Sequence, residues 1–149
     1  MYRKGISALI INAKNEFLLV NLISFEEKYY AIPGGGVEAN ETLEDAAYRE
    51  IKEELGIDPS SLELVGTSTN PLQTTFKVPK INKEGKEYLG SERHFFAFRF
   101  IGSDDEIQLA KDEVRAYKWV PFSDLKQYLL FDDQLSDTEE KIKELFGDL

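Results

Sequence analysis

A proline followed by three glycines, Pro33-Gly34-Gly35-Gly36, ends the short aromatic segment 29–32 and stands six residues before a capped helix. Proline donates no N–H to a sheet ladder, and consecutive glycines allow backbone paths that side chains block. A strand should therefore give way here to a special loop that feeds a helix. Segment 42–55 has the marks of that helix. Thr42 and Asp45 form an N-terminal capping pattern, Leu43, Ala47, Ile51 and Leu55 recur on one face, and Gly56 provides the stop.

Around this core the chain alternates apolar runs with turn-type residues. Segments 5–12 and 17–23 read as a β-hairpin closed by the polar residues 12–16. Segments 62–69, 74–78, 94–101 and 114–120 have β-type composition, 121–130 and 138–146 look helical, and the polar stretch 79–90 reads as a long loop. Strands, a helix, more strands and then helices fit in one domain, residues 1–149, a common domain size.

Composition narrows the function. At 42% hydrophobic residues the chain can pack a core, and with no cysteine it can form neither disulfides nor thiolate metal sites. Its apolar runs fall far short of the roughly 20 residues a membrane span needs, so a soluble, untargeted, cytoplasmic protein without a membrane partner is expected. The formal net charge of −10 disfavours broad binding to duplex nucleic acid.

The acidic excess is organised. Glu50, Glu53 and Glu54 stand at i, i+3 and i+4 on the helix, within an arc of about 100°. Such a trio could be an ordinary solvated face, since glutamate is a good helix former. It could also be a patch whose mutual repulsion a hard cation, with its preference for oxygen ligands, would relieve.

The surrounding residues favour the second reading. From Gly35 the chain runs through five residues to Glu41, then seven more to Arg49-Glu50-Ile51-Lys52-Glu53-Glu54-Leu55-Gly56-Ile57. This resembles the signature of the Nudix hydrolase family, G-x5-E-x7-R-E-U-x-E-E-x-G-U with U apolar, and every fixed position is filled. The resemblance implies an α+β fold with a mixed β-sheet sandwiched between helices. It also implies hydrolysis of a nucleoside diphosphate linked to another moiety, with Mg²⁺ or Mn²⁺ as cofactor.

Carried over by residue, the resemblance implies metal binding by Glu50, Glu53 and Glu54, with the Gly34 carbonyl a further ligand in some relatives. Arg49 would orient the carboxylates, and Glu41 would brace the loop. Outside the signature, family members often carry a glutamate shortly before a Trp-containing strand. Glu113, six residues before Trp119, fits as ligand or general base, so Glu53, Glu54 and Glu113 compete for the base role. The lone histidine, His94, and Trp119 are expected to pack rather than react. Arg3, Phe76, Tyr88 and Arg93 are weaker candidates for base or phosphate contact, as are Lys28 and Lys77.

The segment 88–96 loosely resembles the branch that cleaves dinucleoside polyphosphates and trims the triphosphate end of RNA. Gly34, Asp132 and Asp133 depart from the RNA-acting pattern. The expected substrate is thus a small nucleotide, best a dinucleoside polyphosphate such as diadenosine tetraphosphate. Nucleoside triphosphates, including dihydroneopterin triphosphate, come next, then nucleotide sugars, ADP-ribose or RNA 5′ ends. A nucleotide-binding regulatory module is the non-enzymatic alternative, although such modules usually lose signature glutamates. The oligomeric state is left open, a homodimer being one option.

Overall fold

The computed structural model describes residues 1–149. Seven strands form one sheet: β1 (Tyr2–Ile11), β2 (Glu16–Leu22), β3 (Gly34–Gly36), β4 (Leu62–Thr67), β5 (Leu72–Ile81), β6 (Glu87–Phe100) and β7 (Val114–Pro121). The order is β4-β6-β1-β2-β7, with β3 paired to β1 and β5 to β6. The β1–β6 pairing is parallel and the others are antiparallel, so the sheet is mixed as expected.

Strand periodicity makes the layers. Along β1, Ile6, Ala8 and Ile10 face helix α1 (Leu43–Leu55), together with Ala47, Ile51 and Leu55 from the helix. Leu9 and Ile11 face the opposite way, toward Leu125, Leu129 and Ile142, the last in helix α2 (Gln134–Phe146). Both faces of β1 are covered, and its alternating side chains feed two separate cores. Each fully buried Leu or Ile contributes about 1.5–3 kcal/mol from area removed from water. No helix is long and apolar enough to cross a membrane.

The hairpin of β1 and β2 departs from its expected form. Its two arms pair at Ile11 and Phe17, and beyond that point residues 31–36 enter between them. Ala31 bridges Val20, the Pro33 carbonyl accepts from the Ala8 N–H at 2.8 Å, and β3 pairs Gly34 with Ser7 and Gly36 with Gly5. Segment 29–32 is accordingly no strand beyond the single bridge at Ala31. The glycines form the strand instead, with ordinary backbone angles. They are required for space: a Cβ on Gly34 would strike the Ile6 carbonyl.

The expected loop 79–90 is also corrected. β5 continues to Ile81 and β6 starts at Glu87, leaving a turn at 82–86 in which the Asn82 side chain accepts from the N–H groups of Glu84 and Lys86, both at 2.9 Å. In the C-terminal part, segment 121–130 holds a 3₁₀ helix, Phe122–Gln127, rather than an α-helix, and the last helix begins at Gln134, four residues earlier than expected.

Candidate active site

Helix α1 is set as its sequence indicates. The Thr42 hydroxyl accepts from the Asp45 N–H at 3.0 Å, and Gly56 closes the helix in the left-handed region at φ 69°. The helix lies against β1 and β3, so its Glu-bearing side meets the glycines. Gly35 makes this approach possible, because a Cβ there would collide with the Glu50 carboxylate.

The three glutamates do not share one environment. Glu54 is buried, with 5% of its surface exposed, and its Oε1 accepts from the Gly34 N–H at 3.1 Å. Burial pushes its carboxyl up to about 8, against the Gly34 hydrogen bond, and the negative charges of Glu50 and Glu113 push the same way. Burial also raises Glu50, opposed by Arg49. The Glu53 side chain is 55% exposed and turned toward Arg49.

Arg49 connects helix and glycine strand. Its Nε and Nη2 donate to the two oxygens of Glu41, each at 2.8 Å, while Nη2 also donates to the Gly36 carbonyl at 2.9 Å. Nη1 donates to Glu50 at 2.9 Å and to Glu53 at 3.2 Å. This use of the planar fork is one a lysine cannot reproduce. Hydrogen bonds from Arg49 first, and from the Glu38 N–H second, hold the Glu41 carboxyl down at about 2.

The Glu113 side chain takes no hydrogen bond, while its backbone carbonyl accepts from the Ile23 N–H at 2.9 Å. With Glu54, Asp112, Leu22, Ile23 and Ser24 it lines an acidic cavity of about 390 Å³. The donor chemistry of Glu50, Glu54 and Glu113, hard carboxylate oxygens raising one another's affinity for positive charge, fits a hard divalent cation. No three acidic or histidine side chains are gathered closely enough here to grip an ion, and Glu53 is bonded to Arg49.

Three further hollows lie along or near the glycine strand. At its Gly36 end Arg3, Lys4, Gly35, Gly36, Phe76 and Arg93 border a pocket of about 220 Å³. It adjoins a groove of about 990 Å³ that shares Arg3, Lys4 and Phe76 and adds Tyr88, Lys80, Lys83 and Lys86, with Glu38, Glu41 and Glu84 among them. The four weaker candidates, Arg3, Phe76, Tyr88 and Arg93, thus do border hollows beside the glycines. Lys28 and Lys77 line neither. The −10 net charge conceals this local basic surface.

At the Gly34 end a largely apolar cavity of about 320 Å³ is lined by Phe25, Ile32, Phe95 and Phe131, together with Gly34, Arg93 and Asp137. Arg93 Nη1 donates to the Ser7 hydroxyl at 2.7 Å and to the Ile6 carbonyl at 3.2 Å. Phe25, Phe131 and Ser7 escaped the sequence reading. The one signal for the two rings was an aromatic residue placed in a polar turn. His94 bonds the Glu92 carboxylate at 3.2 Å, and Trp119 stacks on Phe100 and donates from Nε1 to Asp104 at 3.1 Å; neither bonds Glu50, Glu53, Glu54 or Glu113.

Comparison with known proteins accords with this arrangement. The model of the NUDIX domain matches residues 1–142. An RNA pyrophosphohydrolase of Pelagibacter ubique is 30% identical over 154 residues, covering 97% of this chain and 94% of its own length. One from Rhodospirillum rubrum is 32% identical over 124 residues, covering 80% and 72%. Among solved structures, a C. elegans Ap4A hydrolase binary complex superposes with a TM-score of 0.70 at 22% identity, covering 97% and 99%. The E. coli dihydroneopterin triphosphate pyrophosphohydrolase gives 0.73 at 19%, with the same coverage. A filled glutamate signature, a helix packed on a glycine strand in a mixed sheet, and a domain match over nearly the whole length have one reading: this chain belongs to the Nudix hydrolase family.

Proposed function

We propose that this Nudix hydrolase cleaves a phosphoric anhydride bond in a short nucleoside polyphosphate, with a dinucleoside polyphosphate as the preferred substrate. The observation that carries this reading is the pair of hollows at the two ends of the Gly34–Gly36 strand, both bordered by Arg93. A base suits the aromatic cavity, the polyphosphate passes Arg93 and the carboxylates, and the second nucleotide extends over Arg3, Phe76 and the lysines. The Ap4A hydrolase and the dihydroneopterin triphosphate enzyme among the structural neighbours, each named for a small phosphoanhydride substrate, are consistent with it.

Members of this family generally use divalent metal ions, and here Glu50, Glu53, Glu54 and the Gly34 carbonyl would hold Mg²⁺ or Mn²⁺. The metal supplies charge neutralisation of the polyphosphate and a lowered pKa for water. The chain's own residues do the rest. Arg49 holds Glu50 and Glu53 in position, and Gly35 lets the Glu50 carboxylate lie against the backbone. Arg93, braced by Ser7, faces the anionic substrate. Water oxygen bonds to phosphorus as the anhydride P–O bond breaks, and its proton passes to a carboxylate, for which Glu53, Glu54 and Glu113 compete. A cytoplasmic setting belongs to the same reading.

A second reading has its own support. The curated relatives are named RNA pyrophosphohydrolases, and the groove holding Lys80, Lys83 and Lys86 could receive the phosphates that follow a triphosphorylated RNA 5′ end. A panel of dinucleoside polyphosphates, nucleoside triphosphates, nucleotide sugars and a triphosphorylated RNA, assayed with divalent metal and resolved by chromatography, tests both. Highest kcat/KM on a nucleotide sugar, or turnover of none, would overturn the proposal.

A further inference from the structure

The loop between β2 and the glycine strand carries one wall of the aromatic cavity, yet no sheet ladder holds the carbonyls of residues 23–29. Two side chains do. Asn21, 2% exposed at the end of β2, donates from Nδ2 to the Glu27 carbonyl at 2.8 Å and the Tyr29 carbonyl at 2.9 Å. Arg115, near the start of β7, donates from Nη2 to the carbonyls of Ile23 and Phe25, both at 3.5 Å, and from Nη1 to Asn21 Oδ1. Every second carbonyl from residue 23 to residue 29 is thereby taken by a side chain, which does for this segment what a neighbouring strand would do.

The register of the sheet explains the pairing. Opposite Asn21 and Leu22 the strand β7 presents Ala116 and Val114, so Arg115 is the extra residue of a β-bulge. A bulge re-aims a side chain, and here the re-aimed one reaches Asn21 and the loop. The same irregularity places the Glu113 carbonyl where it accepts from the Ile23 N–H at 2.9 Å. Phe25 and Tyr29 both pack on Phe131, at ring distances of 5.2 and 4.3 Å. Ile23 and Ser24, at the other end of the loop, line the acidic cavity with Glu54 and Glu113.

We infer that Arg115, acting through Asn21, is a positioning residue that holds the loop at residues 23–29, and with it the Phe25 wall, in the geometry that receives the substrate's base. The inference rests on the assignment of a nucleoside polyphosphate to this site. Arg115 borders neither the aromatic nor the acidic cavity and bonds no carboxylate, so its loss should fall on base recognition rather than on anhydride chemistry. One bulge joins the wall of the aromatic cavity to the backbone of Glu113.

The test compares Arg115→Gln and Arg115→Lys with the unaltered protein, using diadenosine tetraphosphate and, as a base-free control, tripolyphosphate. The expected result for Arg115→Gln is a KM for the dinucleotide raised at least tenfold, kcat changed less than threefold, and tripolyphosphate kinetics unchanged. Arg115→Lys, which keeps the charge but not the fork, should fall between. Amide hydrogen exchange should accelerate at residues 24–29 and not in α1. If Arg115→Gln does not fold, Arg115→Lys provides the same comparison and should raise KM for the dinucleotide and not for tripolyphosphate. An unchanged KM, or an equal rise for tripolyphosphate, would overturn the inference. Should the unaltered protein hydrolyse neither compound, the substrate assignment fails separately. Calorimetric binding of ADP then decides the role of Arg115: a tenfold weakening in Arg115→Gln upholds it, and equal or absent binding in both proteins rejects it.

Discussion

The Gly34 N–H donates to Glu54 Oε1 at 3.1 Å, so the most deeply buried glutamate of α1 is fastened to the first residue of the glycine strand. That single bond does not offset the burial, which raises the carboxyl from 4.5 to about 8. Between those values the folded chain keeps a proton that the unfolded chain releases. The stability this group contributes is therefore fully present below about pH 4.5 and is lost as pH rises through 8.

Glu54→Gln should remove that loss. In chelator at pH 8.5 the variant should be more stable than the parent by at least ~1 kcal/mol, and the difference should vanish near pH 4.5, where both carry a neutral side chain. Urea unfolding at the two pH values measures it. The same variant should lose at least a hundredfold in turnover with Mg²⁺ present. Equal stability at pH 8.5 would mean that the buried carboxylate is not strained.

Arg49→Lys should cost both stability and rate. One ammonium cannot replace the paired bonds to Glu41 together with those to the Gly36 carbonyl and Glu50. Loss of about 1–3 kcal/mol and at least a tenfold fall in kcat are expected, from denaturant titration and steady-state kinetics. A fully active, fully stable lysine variant would remove Arg49 from the account.

How much of this was visible beforehand depended on where burial writes a pattern. Helix α1 was legible because its cap, apolar stripe and glycine stop all agree, and so was the carboxylate trio. That Glu54 would be buried while Glu53 stays exposed was not, since the 100° arc is divided only once the glycine strand packs beside it. β5 runs beyond the 74–78 that its composition indicates because it is largely exposed, with no alternation along its length, and is held by backbone pairing to β6. Insertion of residues 31–36 between β1 and β2 left no trace in periodicity, because glycines present no side chain to alternate.

Gly35→Ala should show whether space at the glycine strand sets the site. The added Cβ would collide with the Glu50 carboxylate, which must swing away and abandon its place beside Arg49. A fall of at least tenfold in kcat/KM is expected, with a smaller effect when the partner is shortened in Gly35→Ala/Glu50→Asp. Full activity of the single variant would show that Glu50 can work from another position.

The basic groove sets up the last test, because it opposes the net charge of −10. Arg3, Lys4, Lys80, Lys83 and Lys86 line it, but Glu38, Glu41 and Glu84 lie among them, and Glu41 is already bound to Arg49. Such a groove can compensate a few phosphates near the glycine strand and gives a long chain of them little further support. At near-physiological ionic strength and fixed Mg²⁺, kcat/KM should thus be higher for diadenosine tetraphosphate than for a triphosphorylated RNA of about twenty nucleotides. Replacing Lys80, Lys83 and Lys86 together by glutamine should lower the value for the dinucleotide about three- to tenfold and flatten its dependence on salt, since fewer counter-ions are then exchanged on binding. A tenfold preference for the RNA in the unaltered protein, abolished in the triple variant, would show that the lysines outweigh the acidic surface and that the groove serves an RNA 5′ end.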